Sequence, residues 1–520
     1  MFKNQTWDLL EQSMSEKKIV IFGADIFASL LFLRYKDLYI QMVIDNDIKK
    51  QGKYFRELAF GMECDSSKDM PVCAVSEIGG LIPSETIVLI TSLNHYKEMA
   101  EQLEKKGFHD YFILKLMEDN HPTELLGTGN TLKERLLDTY IINCCNQAID
   151  RKKIVIYTEG NYAGHGKQIV NQMQKYNKNW DIVWMVNDIE IEMPNNYRKI
   201  LRSAFFDVVY EMETAGCWIF ESEIPLYIKK RKGQLYFQLK HWSSITLKTF
   251  GFDFYEFRDI KNGIAICEHD SRAIDYLITG SKFDTETCRK GFHYNGNIFE
   301  AGSARSDVLF QGQTYKLFIC KKYGINLESR ILLYAPTFRG GTGQNYIMGQ
   351  GDIDLDFEML HETITETYGG EWIILFRMHP VISRENIKRV ENKFVIDVGD
   401  YQDSQELVAA ADIVITDYSS IMFEPAFVHK PVLLYAPDRK EYINHERRLL
   451  IDYDTLPFPI VESNVQLCEA VRNFDQQEYD QKLDDFFEIY GVHEDGHASE
   501  RVAKFISELI GCGGEEICGH

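Results

Sequence analysis

At 520 residues the chain exceeds what one hydrophobic core covers, so about two to four domains are expected. Hydrophobic residues make up 45% and charged residues 26%, the balance of a soluble globular protein. The formal net charge of −22 excludes a general nucleic-acid binder, which needs a net basic face to neutralise phosphates.

Three alternating strand and helix blocks follow in chain order. The first opens with KKIVIFGADIFASLLFLRY at 17–35 and continues through VIDND at 43–47, TIVLITS at 86–92 and HYKEMAEQLEKKG at 95–107. It predicts a Rossmann-like accessory domain over 1–120, with a charged, Asn- and Gly-containing linker from 118 to 131. A dinucleotide fingerprint there would read GxGxxG, so that backbone could approach a pyrophosphate. Only Gly23 is kept; Asp25 and Ala28 stand where glycines belong, and an acid repels and crowds phosphate. The acids of VIDND keep a nucleotide open, but a structural or interaction module is the favoured reading.

The second block runs from KKIVIYTEG at 152–160 through DIVWMVND, CWIFES and QLYFQLKHW to IDYLITGS, ending at 281. The third runs from RILLYAPTFRGG at 330–341 through WIILFRMHP, KFVIDVGD and DIVITDYSS to PVLLYAP. Near-continuous apolar runs ending in polar or Gly residues mark parallel strands buried on both faces, with function at their C-terminal ends. Two such blocks in tandem predict a cleft between two Rossmann-like domains. The last residues, 506–520, read as a flexible tail. The KKRK run at 229–232 reads as a solvated strand end rather than a membrane-binding patch.

Eleven cysteines without a CxxC pair leave no structural zinc pattern. Their odd number, with no signal peptide, predicts reduced thiols in the cytoplasm. No run approaches the ~20 apolar residues that span a bilayer.

Four strand ends carry the chemistry. His241 lies just beyond an apolar strand and suits a general base, since imidazole titrates near working pH; the alternative is a structural histidine under a loop. APTFR delivers Thr337 and Arg339, FRMHP delivers Arg377 and His379, and TDYSS delivers Asp417, Ser419 and Ser420. Hydroxyls and helix N-terminal amides that donate to oxygens, beside arginine and imidazole, suit a diphosphate. Taken singly, TDYSS would equally be a helix cap.

Together the segments QLKHWSS (238–244), GSARSD (302–307), APTFR (335–339), RMHP (377–380) and TDYSSIMFE (416–424) resemble the motifs of the CDP-glycerol glycerophosphotransferase family, bacterial teichoic-acid and capsule polymerases and primases. Order and spacing agree over residues 150 to 505. The resemblance implies a GT-B-like pair: an acceptor-side domain over 130–310 and a CDP-donor-binding domain over 311–505. It implies that His241 is the base and that His379 stabilises the leaving group. The implied donor-binding set is Arg305, Pro336, Thr337, Arg377, Met378, Ser419, Ser420 and Glu424. Lys248, Arg339, Asp417 and Arg447 are additional candidates. Glu424 stands where the family usually has Asp, as a hydroxyl acceptor, although an exposed first-turn acid would also suit the helix dipole. Trp242 replaces the family's Gly, which points to altered acceptor or donor-alcohol recognition.

The activity so implied is transfer of an alditol phosphate, such as glycerol phosphate, from a CDP-activated donor to a hydroxyl of a glycan or lipid-linked polymer, releasing CMP. Neither a metal nor another cofactor is expected, because the four strand ends that carry the chemistry show no DxD-type or His-rich metal set. The protein is expected in the cytoplasm, with peripheral contact at the inner membrane face. Alternatives are a GT-B glycosyltransferase using a nucleotide sugar, transfer of another CMP- or CDP-activated phosphate or phosphonate group, and a silent scaffold in a surface-polymer complex. Retention of both histidines and the arginines argues against the scaffold.

Overall fold

The computed structural model describes residues 5–35, 39–58, 70–120, 132–177, 179–258, 260, 262–337, 354–378, 392–445 and 448–511. Their strands form three sheets. The first contains β1 (Lys18–Phe22), β2 (Ile40–Asp45), β3 (Val72–Ala74), β4 (Thr86–Ile90) and β5 (Tyr111–Ile113), in the order β3-β2-β1-β4-β5. The second contains β6 (Asp150–Tyr157), β7 (Asp181–Val186), β8 (Arg198–Leu201), β9 (Ala215–Phe220), β10 (Leu235–Gln238), β11 (Tyr276–Thr279) and β12 (Asn297–Glu300), in the order β12-β11-β10-β9-β6-β7-β8. The third contains β13 (Arg330–Tyr334), β14 (Trp372–Phe376), β15 (Val395–Asp397), β16 (Ile413–Thr416), β17 (Val432–Tyr435) and β18 (Ile460–Val461), in the order β15-β14-β13-β16-β17-β18.

Among the described residues every pairing between these strands is parallel. The apolar runs account for the central strands: β4, β9, β16 and β17 are buried at every position, as parallel strands covered on both faces must be. Edge strands β8 and β12 are half exposed and carry no such run. Each sheet reverses its strand order once, at β1/β4, β6/β9 and β13/β16. In open parallel sheets these switch points open a crevice beyond the strand ends.

Compact packing divides the chain into two units, residues 1–149 with 203–214, and residues 150–202 with 215–520. In the first unit Asp25 caps the helix Ile26–Arg34, accepting from the amides of Phe27 (3.0 Å) and Ala28 (3.1 Å). Asp45, the acid of VIDND, accepts from the Ala24 amide (2.7 Å) and Lys50 Nζ (3.1 Å). The helix N-terminus and the acid that a nucleotide would need are both occupied by the protein's own groups.

The second unit holds the two larger sheets, and its halves are tied together. Thr249 N donates to Arg448 O (3.0 Å) and Leu450 N to Leu247 O (2.8 Å). Lys167, on the helix Gly164–Tyr176, pairs with Asp403 (3.0 Å) and Glu406 (2.6 Å) of the other half. The chain expected to fray from 506 remains helical over Ala498–Gly511. Val502, Ala503 and Ile506 enter the core built on β6, β7 and β9, and that burial holds the helix. Its first amides, at Ala498 (3.0 Å) and Ser499 (2.7 Å), donate to buried Asp307.

Among the described residues no helix is long and apolar enough to cross a membrane, and all described cysteines are free.

Candidate active site

The third sheet places its polar strand ends at the β13/β16 switch point. Asp417, just past β16, is buried and accepts at Oδ1 from the amides of Thr337 (2.8 Å) and Tyr418 (2.6 Å). It thereby joins the loop after β13 to the loop after β16. Ser419 caps a single 3-10 turn, Ser420–Met422, followed by one α-turn, Phe423–Ala426. The helix expected behind TDYSS is thus only two short turns, closed by His429 at φ +56° with Lys430 N donating to the Pro425 carbonyl (3.1 Å). The Ser420 hydroxyl bonds Thr246 Oγ1 (3.0 Å) and accepts from Leu247 N (3.1 Å), so it fastens the two halves together.

In the second sheet the chain turns sharply after β10. Lys240 adopts φ +54°, a left-handed conformation costing about 1–2 kcal/mol for a residue with a Cβ. Its buried ammonium pairs with Asp284 at 2.8 Å and donates to the carbonyls of Trp242 (3.3 Å) and Ser243 (3.1 Å). Asp284 also accepts from Trp242 Nε1 (2.9 Å) and the Gly280 amide (2.8 Å). Between buried Lys240 and buried Trp242, His241 is turned outward and exposed. Trp242 packs its ring against Phe250 (centroids 4.2 Å) and Phe292 (6.2 Å), so this departure from the family motif anchors the loop through buried contacts.

Behind the loop lies buried His165. Its Nε2 is 2.8 Å from the Trp242 carbonyl and its Nδ1 3.4 Å from the Arg305 amide. One partner only accepts and the other only donates, which fixes a neutral ring protonated on Nε2. Burial, reinforced by the charges of Lys240 and Arg305, pushes its pKa down. Glu221, past β9, accepts from the amides of His165 (2.7 Å), Gly166 (3.4 Å) and Glu159 (3.4 Å). Burial raises its pKa to about 8, against the pull of Arg305. Gly164 (φ +66°) is required there, since a Cβ would stand 2.6 Å from Glu221 Oε1.

Arg305 joins all of this. Its Nη1 donates to the His241 carbonyl, and its Nε lies 3.1 Å from Oε1 of Glu424 in the other half. Glu424 is 2% exposed, and its second oxygen accepts from Gln405 Nε2 (2.9 Å). It is therefore not an exposed first-turn acid: Phe423, Pro425 and Ala426 bury around it, and the arginine balances its charge. Glu494, raised to about 7 by burial, accepts from Ser303 N (3.0 Å) and the Ser244 hydroxyl, fixing the approach to Arg305.

The structure thus gathers His241, Arg305, Glu424 and Ser420 about one junction, and Thr337, Asp417 and Ser419 about the adjoining switch point. Lys248 forms an isolated antiparallel bridge with Leu449, its ammonium 5.6 Å from the Tyr442 ring centroid. Pro336 follows β13, half-buried. The side chains of two expected donor residues have partners within the protein. Met378 is packed in the core with Tyr334, Phe357 and Phe376, because its side chain continues the inward-facing set of β14. Arg377 Nη1 donates to the carbonyls of Tyr401 (2.5 Å) and Val398 (3.3 Å), bracing the loop after β15. His379, Arg339 and Arg447 lie outside the described residues.

Glu159, Glu221 and His165 were missed from sequence, although Glu159 and Glu221 end strands by the same rule that selected Thr337 and Ser419. Asp284 and Glu494 carry no local signal. Among the described residues no cluster of three or more His, Cys, Asp or Glu could hold a metal ion.

Parallel α/β halves meeting at their strand ends, with an exposed imidazole backed by an arginine and a buried acid, define a group-transfer enzyme. The chain belongs to the CDP-Glycerol:Poly(glycerophosphate) glycerophosphotransferase family, whose sequence model matches residues 139–508. A teichoic acid poly(glycerol phosphate) polymerase of Bacillus spizizenii is 27% identical over 376 residues, 69% of this chain and 92% of that protein. A teichoic acid glycerol-phosphate transferase of Staphylococcus aureus is 29% identical, over 57% of this chain and 77% of its own length. The solved wall teichoic acid polymerase TagF superposes with a TM-score of 0.63 at 26% identity, covering 74% of this chain and 95% of that one.

Proposed function

We propose that this chain transfers glycerol phosphate from CDP-glycerol to a hydroxyl of a teichoic-acid-type polymer and releases CMP. The two halves of the second unit act as a GT-B-like pair, with the acceptor on the half that carries β6–β12 and the donor on the half that carries β13–β18. Residues 1–120 form an accessory domain. The observation that carries this reading is the Arg305 junction: one guanidinium holds the carbonyl of the exposed imidazole residue and the buried Glu424 of the facing half.

His241 takes the proton of the acceptor hydroxyl as that oxygen bonds to the distal phosphorus of the donor. The bond from that phosphorus to the CMP oxygen breaks, and its electron pair leaves with CMP. Arg305, held by Glu424, and the hydroxyls of Thr337 and Ser419 stabilise the diphosphate. His379 steadies the departing phosphate. Arg377 supports the donor site by bracing its loop, and Glu424 acts through Arg305. Positioning and charge stabilisation supply most of the rate in phosphoryl transfer. The acceptor is polymer carried at the inner membrane face, which the protein visits from the cytoplasm.

The test is CMP release from CDP-glycerol, CDP-ribitol and nucleotide sugars by the whole chain, with radiolabelled products analysed for phosphate. The expected result is CMP with phosphate retained in the product, abolished in His241→Ala. A product carrying sugar without phosphate, or full activity in His241→Ala, would overturn it.

A further inference from the structure

We propose that Glu159 is the positioning residue for His241, holding the imidazole with Nδ1 protonated so that Nε2 is the free base. The assignment rests on the transfer reaction proposed above. Glu159 follows β6 and His241 follows β10, with only β9 between them in the sheet. Glu159 Oε1 lies 3.5 Å from His241 Nδ1, with the side chains 51% and 49% exposed. Both backbones are anchored while both side chains reach outward: the Glu159 amide donates to Glu221 (3.4 Å) and the His241 carbonyl accepts from Arg305.

An exposed pair of this kind adds almost nothing to stability, too little to account for the two groups, buried Glu221 and half-buried Arg305, that fix the two backbones. Orientation is the larger effect. A carboxylate on Nδ1 selects the tautomer whose lone pair is on Nε2, and loss of such a partner typically lowers activity by about 10–100-fold. Separations of this size also shorten when substrate closes a site. In the reaction, the acceptor proton moves to Nε2 as the new P–O bond forms, and Glu159 stabilises the resulting imidazolium without taking a proton. The ring is also edge-on to Trp242 (centroids 5.1 Å), whose buried side chain prevents the imidazole from folding back.

The experiment uses the full chain labelled with 15N at histidine, His241 being assigned by its absence in His241→Gln. In ligand-free wild type the His241 nitrogen shifts should report Nδ1–H. Glu159→Ala should move them to Nε2–H, the tautomer a free imidazole prefers. In the CMP-release assay Glu159→Ala should lose about 10–100-fold in kcat, with the donor KM changed less than about twofold and the melting temperature unaltered. Glu159→Gln, which keeps an acceptor oxygen, should recover part of the loss. An unchanged tautomer in Glu159→Ala, unchanged kcat, or a loss confined to KM would overturn the assignment. If wild type released no CMP from CDP-glycerol while the tautomer still switched, the reaction assignment would fall and the positioning role would stand.

Discussion

Replacing Arg305 by Met tests the junction most directly. Arg305 Nε and Glu424 Oε1 are 3.1 Å apart, with side-chain exposures of 14% and 2%. Unit charges about 4 Å apart attract by ~4 kcal/mol at an effective dielectric constant of ~20, and removing one partner of a buried pair costs ~3–5 kcal/mol. Protonation limits that cost. Burial already raises the Glu424 pKa, with Arg305 pulling it down, so Arg305→Met lets it rise further and the acid takes up a proton. The folded variant then binds more protons than the unfolded chain, and its stability falls as pH climbs through the raised pKa. A deficit of ~2–3 kcal/mol near pH 8, about half that near pH 5.5, is expected. At ~2 °C per kcal/mol for a unit of this size, the melting temperature should drop by about 4–6 °C at the higher pH. Arg305→Met/Glu424→Gln should recover most of the stability, because no buried charge remains, but none of the CMP release. Equal melting temperatures at both pH values, or a double variant no more stable than the single, would refute the coupling.

Two further outcomes follow from the buried acids. The Glu221 pKa is raised to about 8 and the unfolded carboxyl titrates near ~4.3, so its contribution is complete below that value and is lost as pH rises through about 8. Glu221→Gln should flatten this part of the melting-temperature profile between pH 5 and 9, and identical profiles would contradict it. Asp284→Asn removes the buried partner of Lys240 and should cost ~3–5 kcal/mol. Calorimetry should show a lowered transition, and kcat should fall because the His241 turn loses its anchor; intact kcat in folded variant would contradict that role.

The parts of the site legible in sequence were those set by a strand and the residues just after it. Thr337, Ser419 and His241 each follow an apolar run, and burial of parallel strands on both faces leaves polar chemistry only at their ends. The same rule applied to KKIVIYTEG and CWIFES would have drawn out Glu159 and Glu221. Glu424 was ambiguous because two short turns and a helix start look alike in sequence, whereas its burial depends on packing against the opposite half. The tail expected from 506 is helical to Gly511 because Ile506 packs on residues of β6, β7 and β9, hundreds of residues earlier, a contact no local pattern signals.

By itself the sequence determined the alternation of strands and helices, the family motifs and the strand ends at which they sit, because periodicity and turn chemistry act over a few residues. Only the tertiary structure decided which polar ends meet: Arg305 with Glu424 and the His241 carbonyl, Lys240 with Asp284, Glu159 with His241. Those pairings depend on strand order within a sheet and on how two sheets face each other, and a buried charge accepts whichever partner that geometry brings within reach.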